Sequence, residues 1–125
     1  MNALYQSAFD KAEDSFESAV VLFESHHYAG SVNRCYYAMY NIVSALVNEN
    51  RNKHIKTHNG LIRIFSEEFI KTGKFPKPLL ITFKKILEKR QVADYDIYYN
   101  ITEEETKSIL NDTKEFIATL RKIVG

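Results

Sequence analysis

The sequence predicts an all-α fold, a five-helix antiparallel bundle, and three observations predict it. Apolar residues recur at three- and four-residue steps in every long segment, and no stretch alternates convincingly with period two. The connecting stretches are short, polar and marked by turn-forming residues. Segments of helical period joined by short loops bury their apolar stripes by packing antiparallel on one another.

The first helix is expected from Leu4 to Ser25, where Tyr5, Phe9, Ala12, Phe16, Ala19 and Phe23 form one apolar stripe. "SHHYAG" is a short break. A second helix follows from about Ala29 to Asn48, with Val32, Tyr36, Met39, Val43 and Leu46 as its main stripe. "NENRNKHIKTHNG" is polar and loop-like, with Thr57 or His58 as the N-cap of a shorter third helix that carries Leu61, Phe65 and Phe69 on one side. "KTGKFPKP" holds both prolines of the chain and ends that helix. A fourth helix runs from about Lys77 to Tyr95. The fifth begins at Thr102, where Thr102 and Glu105 have capping-box spacing, and continues through Ile109, Phe116, Leu120 and Ile123.

At 125 residues the chain reads as a single helical domain spanning 1–125, long enough for a core without disulfides. One cysteine, Cys35, excludes an intramolecular disulfide and suggests a reducing compartment. The N-terminal stretch is broken by charge every few residues, and no apolar run approaches the ~20 residues that span a bilayer. A cytoplasmic protein with no membrane partner is the expectation. The formal net charge of +1 hides an asymmetry: Arg51 to Arg90 contains 11 Lys/Arg against 3 Asp/Glu, while the remainder is acidic. A basic middle on an acidic frame attracts phosphates or an acidic protein, or else is a solvated lysine-rich face.

Two stretches carry more than packing. In "NRCYYAMYNIVSALV" (Asn33–Val47), Arg34, Tyr37, Asn41 and Asn48 fall opposite the main stripe, beside Ala38 and Ala45. A helix apolar most of the way round is buried on more than one side, against a neighbouring helix or another subunit. In "KILEKRQVADYD", Arg90 falls inside the apolar stripe formed by Leu79, Phe83, Ile86 and Ala93, and Asp94 stands at the pairing distance i+4. Such a pair either fixes the last turn of the helix or holds a cation toward a phosphate. His26, His27 and His54 fall in loops. His58, at the start of the third helix, is placed for acid–base chemistry or for capping. His54 and His58 are four apart, but no carboxylate or cysteine supports a metal site. Gly-rich phosphate loops, nucleophile elbows and HExxH are absent, and neither a metal nor a cofactor is called for.

Taken together, "YAGSVNRCYYAMYNIVSALV", "KTHNGLIRIFSEEFIKTGKFP" and "LEKRQVADYD" resemble the HEPN superfamily. The likeness is to a prokaryotic branch of small stand-alone proteins with an Arg-x-Tyr-Tyr signature, a Thr-His pair and an Arg-x-x-Ala-Asp-Tyr segment, and it covers about Ala19 to Asp96. The resemblance implies a helical bundle that forms a homodimer. It implies a nucleotide- or RNA-binding function and a small nucleotidyltransferase as partner, in a toxin–antitoxin-like pair. Many such proteins are metal-independent ribonucleases that use an arginine followed four to six residues later by a histidine. Arg90 matches the arginine; five positions on stands Tyr95, and no histidine follows it. The resemblance thus implies catalytic roles for Arg90 and, as the one histidine placed to replace the missing one, His58. The expected nucleotide or RNA site comprises Arg34, Tyr37, Arg90, Asp94 and Tyr95. Tyrosine, with a pKa near 10, exchanges protons poorly at neutral pH, so this pattern favours binding over cleavage. The other reading is a non-catalytic interaction subunit in which Arg34 and Arg90 are structural.

Overall fold

The computed structural model describes all 125 residues and contains helices only. They are α1 (Ala3–Glu24), α2 (Tyr28–Asn48), α3 (His58–Ile64), α4 (Pro78–Tyr95) and α5 (Glu103–Val124), with α3 running on into a π-helical turn, Phe65–Ile70. No helix is long and apolar enough to cross a membrane.

The helix ends follow from local chemistry. Asn2 caps α1 by accepting from the Tyr5 amide, and Thr57 caps α3 by accepting from the Gly60 amide at 3.0 Å. Thr57, rather than His58, is therefore the cap. Gly60 is needed there, because a Cβ would stand 2.6 Å from Thr57 Oγ1 and 2.8 Å from Ile55 Cγ2. At α5 both halves of the capping box form between Thr102 and Glu105. α1 closes with a Schellman arrangement: the His26 and His27 amides donate to the Phe23 and Leu22 carbonyls, and His26 takes the left-handed position at φ 64°. Glycine usually holds that position; here the His26 ring bonds the Tyr28 hydroxyl at 2.9 Å.

α2 is the axis of the bundle and packs against every other helix. α1 lies along its back. Ser15 Oγ donates to the Arg34 carbonyl at 2.8 Å and Ser31 Oγ to the Ala19 carbonyl at 2.7 Å, so small residues let the two backbones approach. This covers Ala38 and Ala45 within one chain and leaves Arg34, Tyr37 and Asn41 half-buried. On the other side of α2 an aromatic spine fills the core: Tyr36 stacks on Phe83 at 5.5 Å between ring centres, Phe83 on Phe116 at 6.3 Å, and Phe65 meets Phe83 edge-on. Tyr36, Phe65 and Phe83 are fully buried.

The loop from Glu49 to Thr57 is polar but pinned. The Asn48 carboxamide donates to the Ile55 carbonyl at 2.9 Å and accepts from the Ile55 amide at 2.7 Å, acting like a strand partner. Arg51 donates to the Val47 carbonyl and pairs with Glu68 on the π turn. In that turn the Lys71 amide bonds the Ser66 carbonyl, five residues back. Phe69 then stacks on Phe75, which Gly73 at φ 79° brings back toward the core.

Candidate functional site

Three helices bring the polar residues of the two unusual stretches together. α2 supplies Asn33, Arg34, Tyr36, Tyr37 and Tyr40; α3 supplies His58 at its first turn; α4 supplies Arg90, Asp94 and Tyr95 at its last turns.

Arg90 is the centre. It is 9 % exposed, and its guanidinium carbon lies 5.4 Å from the ring centre of Tyr37, 5.5 Å from that of Tyr95 and 6.0 Å from that of Tyr36. Faces of aromatic rings attract a cation that has lost its water. Its Nη2 donates weakly to the Tyr37 hydroxyl at 3.3 Å and the Tyr95 hydroxyl at 3.4 Å. Nε stands 3.1 Å from Asp94 Oδ2 as an ion pair, but the N–H is not aligned on the oxygen, and Nε remains a buried donor without a hydrogen-bond partner. The i+4 pair expected from the sequence forms, yet it does not saturate the guanidinium.

Asn33, which the sequence did not single out, ties this arginine to the other. Its Nδ2 donates to Asp94 Oδ2 at 3.0 Å, while its Oδ1 accepts from Arg34 Nη2 at 2.9 Å and Nε at 3.2 Å. Arg34 lies 5.3 Å from the Tyr37 ring centre, so one tyrosine ring is shared by two guanidinium groups. Arg34 makes no ion pair, although it borders a polar groove that also contains Lys11, Asp10 and Asp14. Asp94 is the one carboxylate in ion-pair contact with either arginine.

His58 joins from α3. Its Nδ1 is 2.6 Å from the Tyr36 hydroxyl, and its ring packs edge-on against Tyr36 and Tyr40. Burial first, and the nearby Arg90 charge second, hold the imidazole below its ordinary pKa. The imidazole is therefore biased toward the neutral form. Burial also pushes the Tyr36 hydroxyl well above the usual phenol range, so Tyr36 stays protonated. His26, His27 and His54 are exposed and make no hydrogen bond to this cluster. No three His, Cys, Asp or Glu side chains are grouped to hold a metal ion. Cys35 is buried, and burial pushes its thiol up to about 12, which leaves it unreactive.

Beyond Arg90 the surface is shallow. Val92, Tyr95, Ile97 and Tyr98 are exposed and border a depression at the end of α4, with Tyr98 held outward by its amide bond to Asp96 Oδ1 at 2.9 Å. A separate groove between α1 and α5, floored by Phe16 and Ile117, shares none of the clustered residues.

Known proteins are similar to this chain over most of its length. The HEPN domain model matches residues 5–123. A protein of Methanocaldococcus jannaschii named "Putative toxin MJ0142" is 32 % identical over 117 residues, covering 94 % of this chain and 79 % of that protein. A second from the same organism, named "Putative toxin MJ0605", is 31 % identical over 117 residues, covering 94 % of this chain and 86 % of its own. A "UPF0332 protein" of Thermotoga maritima is 29 % identical over 114 residues, covering 91 % and 86 %. Helical architecture, matched span and relatives agree: the chain belongs to the HEPN domain family.

Proposed function

We propose that this chain is an RNA-binding protein of HEPN type, acting as one domain over residues 1–125, whose phosphate site is built on Arg90 and Arg34. A single observation carries the reading. The Arg90 guanidinium is desolvated, faced by three tyrosine rings, and has a donor, Nε, that its own chain does not hydrogen-bond. A structural arginine in a helix bundle is normally closed off by a bidentate carboxylate. Here Asp94 meets Arg90 out of alignment and no carboxylate pairs with Arg34, and a phosphate would complete the set. Tyr37 and Tyr95 orient the cation, and Asp94, held by Asn33, sets its position. Weak metal-independent cleavage belongs to the same reading, since a guanidinium beside a phosphate stabilises the charge that builds in the transition state.

The names of two relatives support a toxin-like role, and the HEPN resemblance supports a homodimer that works with a small nucleotidyltransferase. Sedimentation of the pure protein should give a dimer at micromolar concentration, and native purification should recover the nucleotidyltransferase. A monomer that purifies alone would remove this part.

The RNA site is tested by fluorescence anisotropy with a labelled single-stranded RNA oligomer at low salt. Arg90→Ala and Arg34→Ala should each weaken binding about tenfold, the worth of a charge-assisted hydrogen bond. Unchanged affinity in both variants would leave the second reading, an interaction subunit with structural arginines, which the Asp94 and Asn33 contacts favour.

A further inference from the structure

The geometry points to Tyr36 as a positioning residue that fixes His58 as a neutral hydrogen-bond donor, with its proton on Nε2 and Nε2 directed to a ligand oxygen. This deepens the RNA-site reading by assigning His58 a donor's part in place of a base's.

The Tyr36 side chain is completely buried, and its hydroxyl has one partner, His58 Nδ1 at 2.6 Å. If Nδ1 carried the proton, the hydroxyl would have to accept, and its own buried O–H would be left with nowhere to donate. A buried polar hydrogen without an acceptor is disfavoured. The hydroxyl therefore donates, Nδ1 accepts, and the remaining imidazole proton sits on Nε2. Nε2 has no partner within the chain and is not buried, so it presents a free donor on the open side of the ring. The groups facing His58 are Tyr36 and Tyr40 from α2, with Arg90 contributing its positive charge from α4. No carboxylate lies within ion-pair reach of the ring to favour the imidazolium, and protonating it would add a second cation near Arg90 while reversing the Tyr36 bond. His58 is thus held in one tautomer and one charge state, which suits recognition of an anionic oxygen and not proton abstraction.

Nitrogen-15 spectra of the imidazoles of the intact protein test the assignment directly. The three exposed histidines serve as internal references, and His58 is identified from the signal missing in His58→Gln. A pyrrole-type Nε2 and a pyridine-type Nδ1 are expected for His58 at pH 7, with titration below the ordinary imidazole value. Tyr36→Phe keeps the ring in the core and should release the tautomer, redistributing the proton between Nδ1 and Nε2. A protonated Nδ1 in the wild type, or a Tyr36→Phe spectrum identical to wild type for His58, would overturn the proposal. The donor role has a second readout in RNA anisotropy. His58→Ala should weaken binding about tenfold, while His58→Gln, whose amide nitrogen reaches the place of Nε2, should stay within about threefold of wild type. Equal losses in the two variants would overturn the donor role. Failure of the wild type to bind RNA would sink the RNA-site reading and the ligand role together, while the spectra decide the tautomer independently.

Discussion

Lys89 and Arg90 are neighbours on α4, and each is the cation of a cluster that also contains tyrosine and a carboxylate. Lys89 is closed: its Nζ bonds Glu105 at 2.9 Å and the Tyr99 hydroxyl at 3.2 Å. The Tyr99 hydroxyl also bonds Glu105, and Glu105 completes the α5 capping box. Every polar group there has a directed partner, and the cluster ties the end of α4 to the start of α5. Arg90 is open. It is more deeply buried than Lys89, yet its contacts are long, its nearest carboxylate is misaligned, and its Nε is unsatisfied. The deeper cation having the poorer partners is the reverse of what stability alone would select. The contrast sets a saturated cation beside an unsaturated one on the same helix.

The largest expected effect would come from swapping what each cluster loses. Arg90→Ala should cost RNA affinity about tenfold but no more than about 1–2 kcal/mol of stability, because Asp94 keeps its Asn33 bond. A urea midpoint corresponding to a loss of about 3–5 kcal/mol, the cost of orphaning a buried partner, would erase the distinction between the two clusters. Glu105→Ala should do the opposite. It removes the capping-box acceptor and the side-chain hydrogen bonds from Lys89, Tyr99 and Thr102, so about 1–2 kcal/mol should be lost while RNA affinity stays unchanged. Loss of RNA binding in this variant would mean that the two clusters act as one.

The smallest effect is a pH dependence confined to the closed cluster. Hydrogen bonds from Tyr99, then Lys89, hold the Glu105 carboxyl down to about 2 from an ordinary 4.5. A carboxyl held lower in the folded state contributes stability that is present above its unfolded value and lost as pH falls through the folded one. Urea midpoints should therefore decline between about pH 4.5 and pH 2, and Glu105→Gln should flatten that part of the decline. At the other end, the hydrogen bonds from Lys89 to Glu105 and Tyr99 raise its pKa, so its contribution is present below the ordinary 10.5 and fades as pH rises through the folded value. A Glu105→Gln profile parallel to wild type below pH 4.5 would contradict the assignment.

Much of this fold was legible in sequence because helices are local. The stripes, the Thr57 and Thr102 caps and the Arg90–Asp94 spacing each lie within a few residues, and the structure reproduces them. The π turn was not legible: Leu61, Phe65 and Phe69 keep ordinary helical spacing across it. Of the site, the candidates Arg34, Tyr37, Arg90, Asp94, Tyr95 and His58 were read as types in suggestive places, and the structure gathers them. The contacts that give them meaning were invisible. Asn33 meets Asp94 across 61 residues and Tyr36 meets His58 across 22, and periodicity carries no information about which helix faces which. Tyr36 was assigned to the core stripe correctly, but a stripe says nothing of where a phenol ends. Burial beside a polar tip is the signal that would have marked it.

The shared aromatic ring at the heart of the site has an optical consequence. The chain has eight tyrosines and no tryptophan, so tyrosine is its only intrinsic fluorophore of note. Tyr36, Tyr37 and Tyr40 lie 5.2–6.1 Å apart between ring centres, and Tyr37 is flanked by both guanidinium groups. Rings this close exchange excitation among themselves, so light absorbed by any one of them is reported by the group. An anion drawing either arginine off the Tyr37 face alters the emission of the whole cluster. The protein thus carries a built-in, label-free reporter at the place where its ligand is expected.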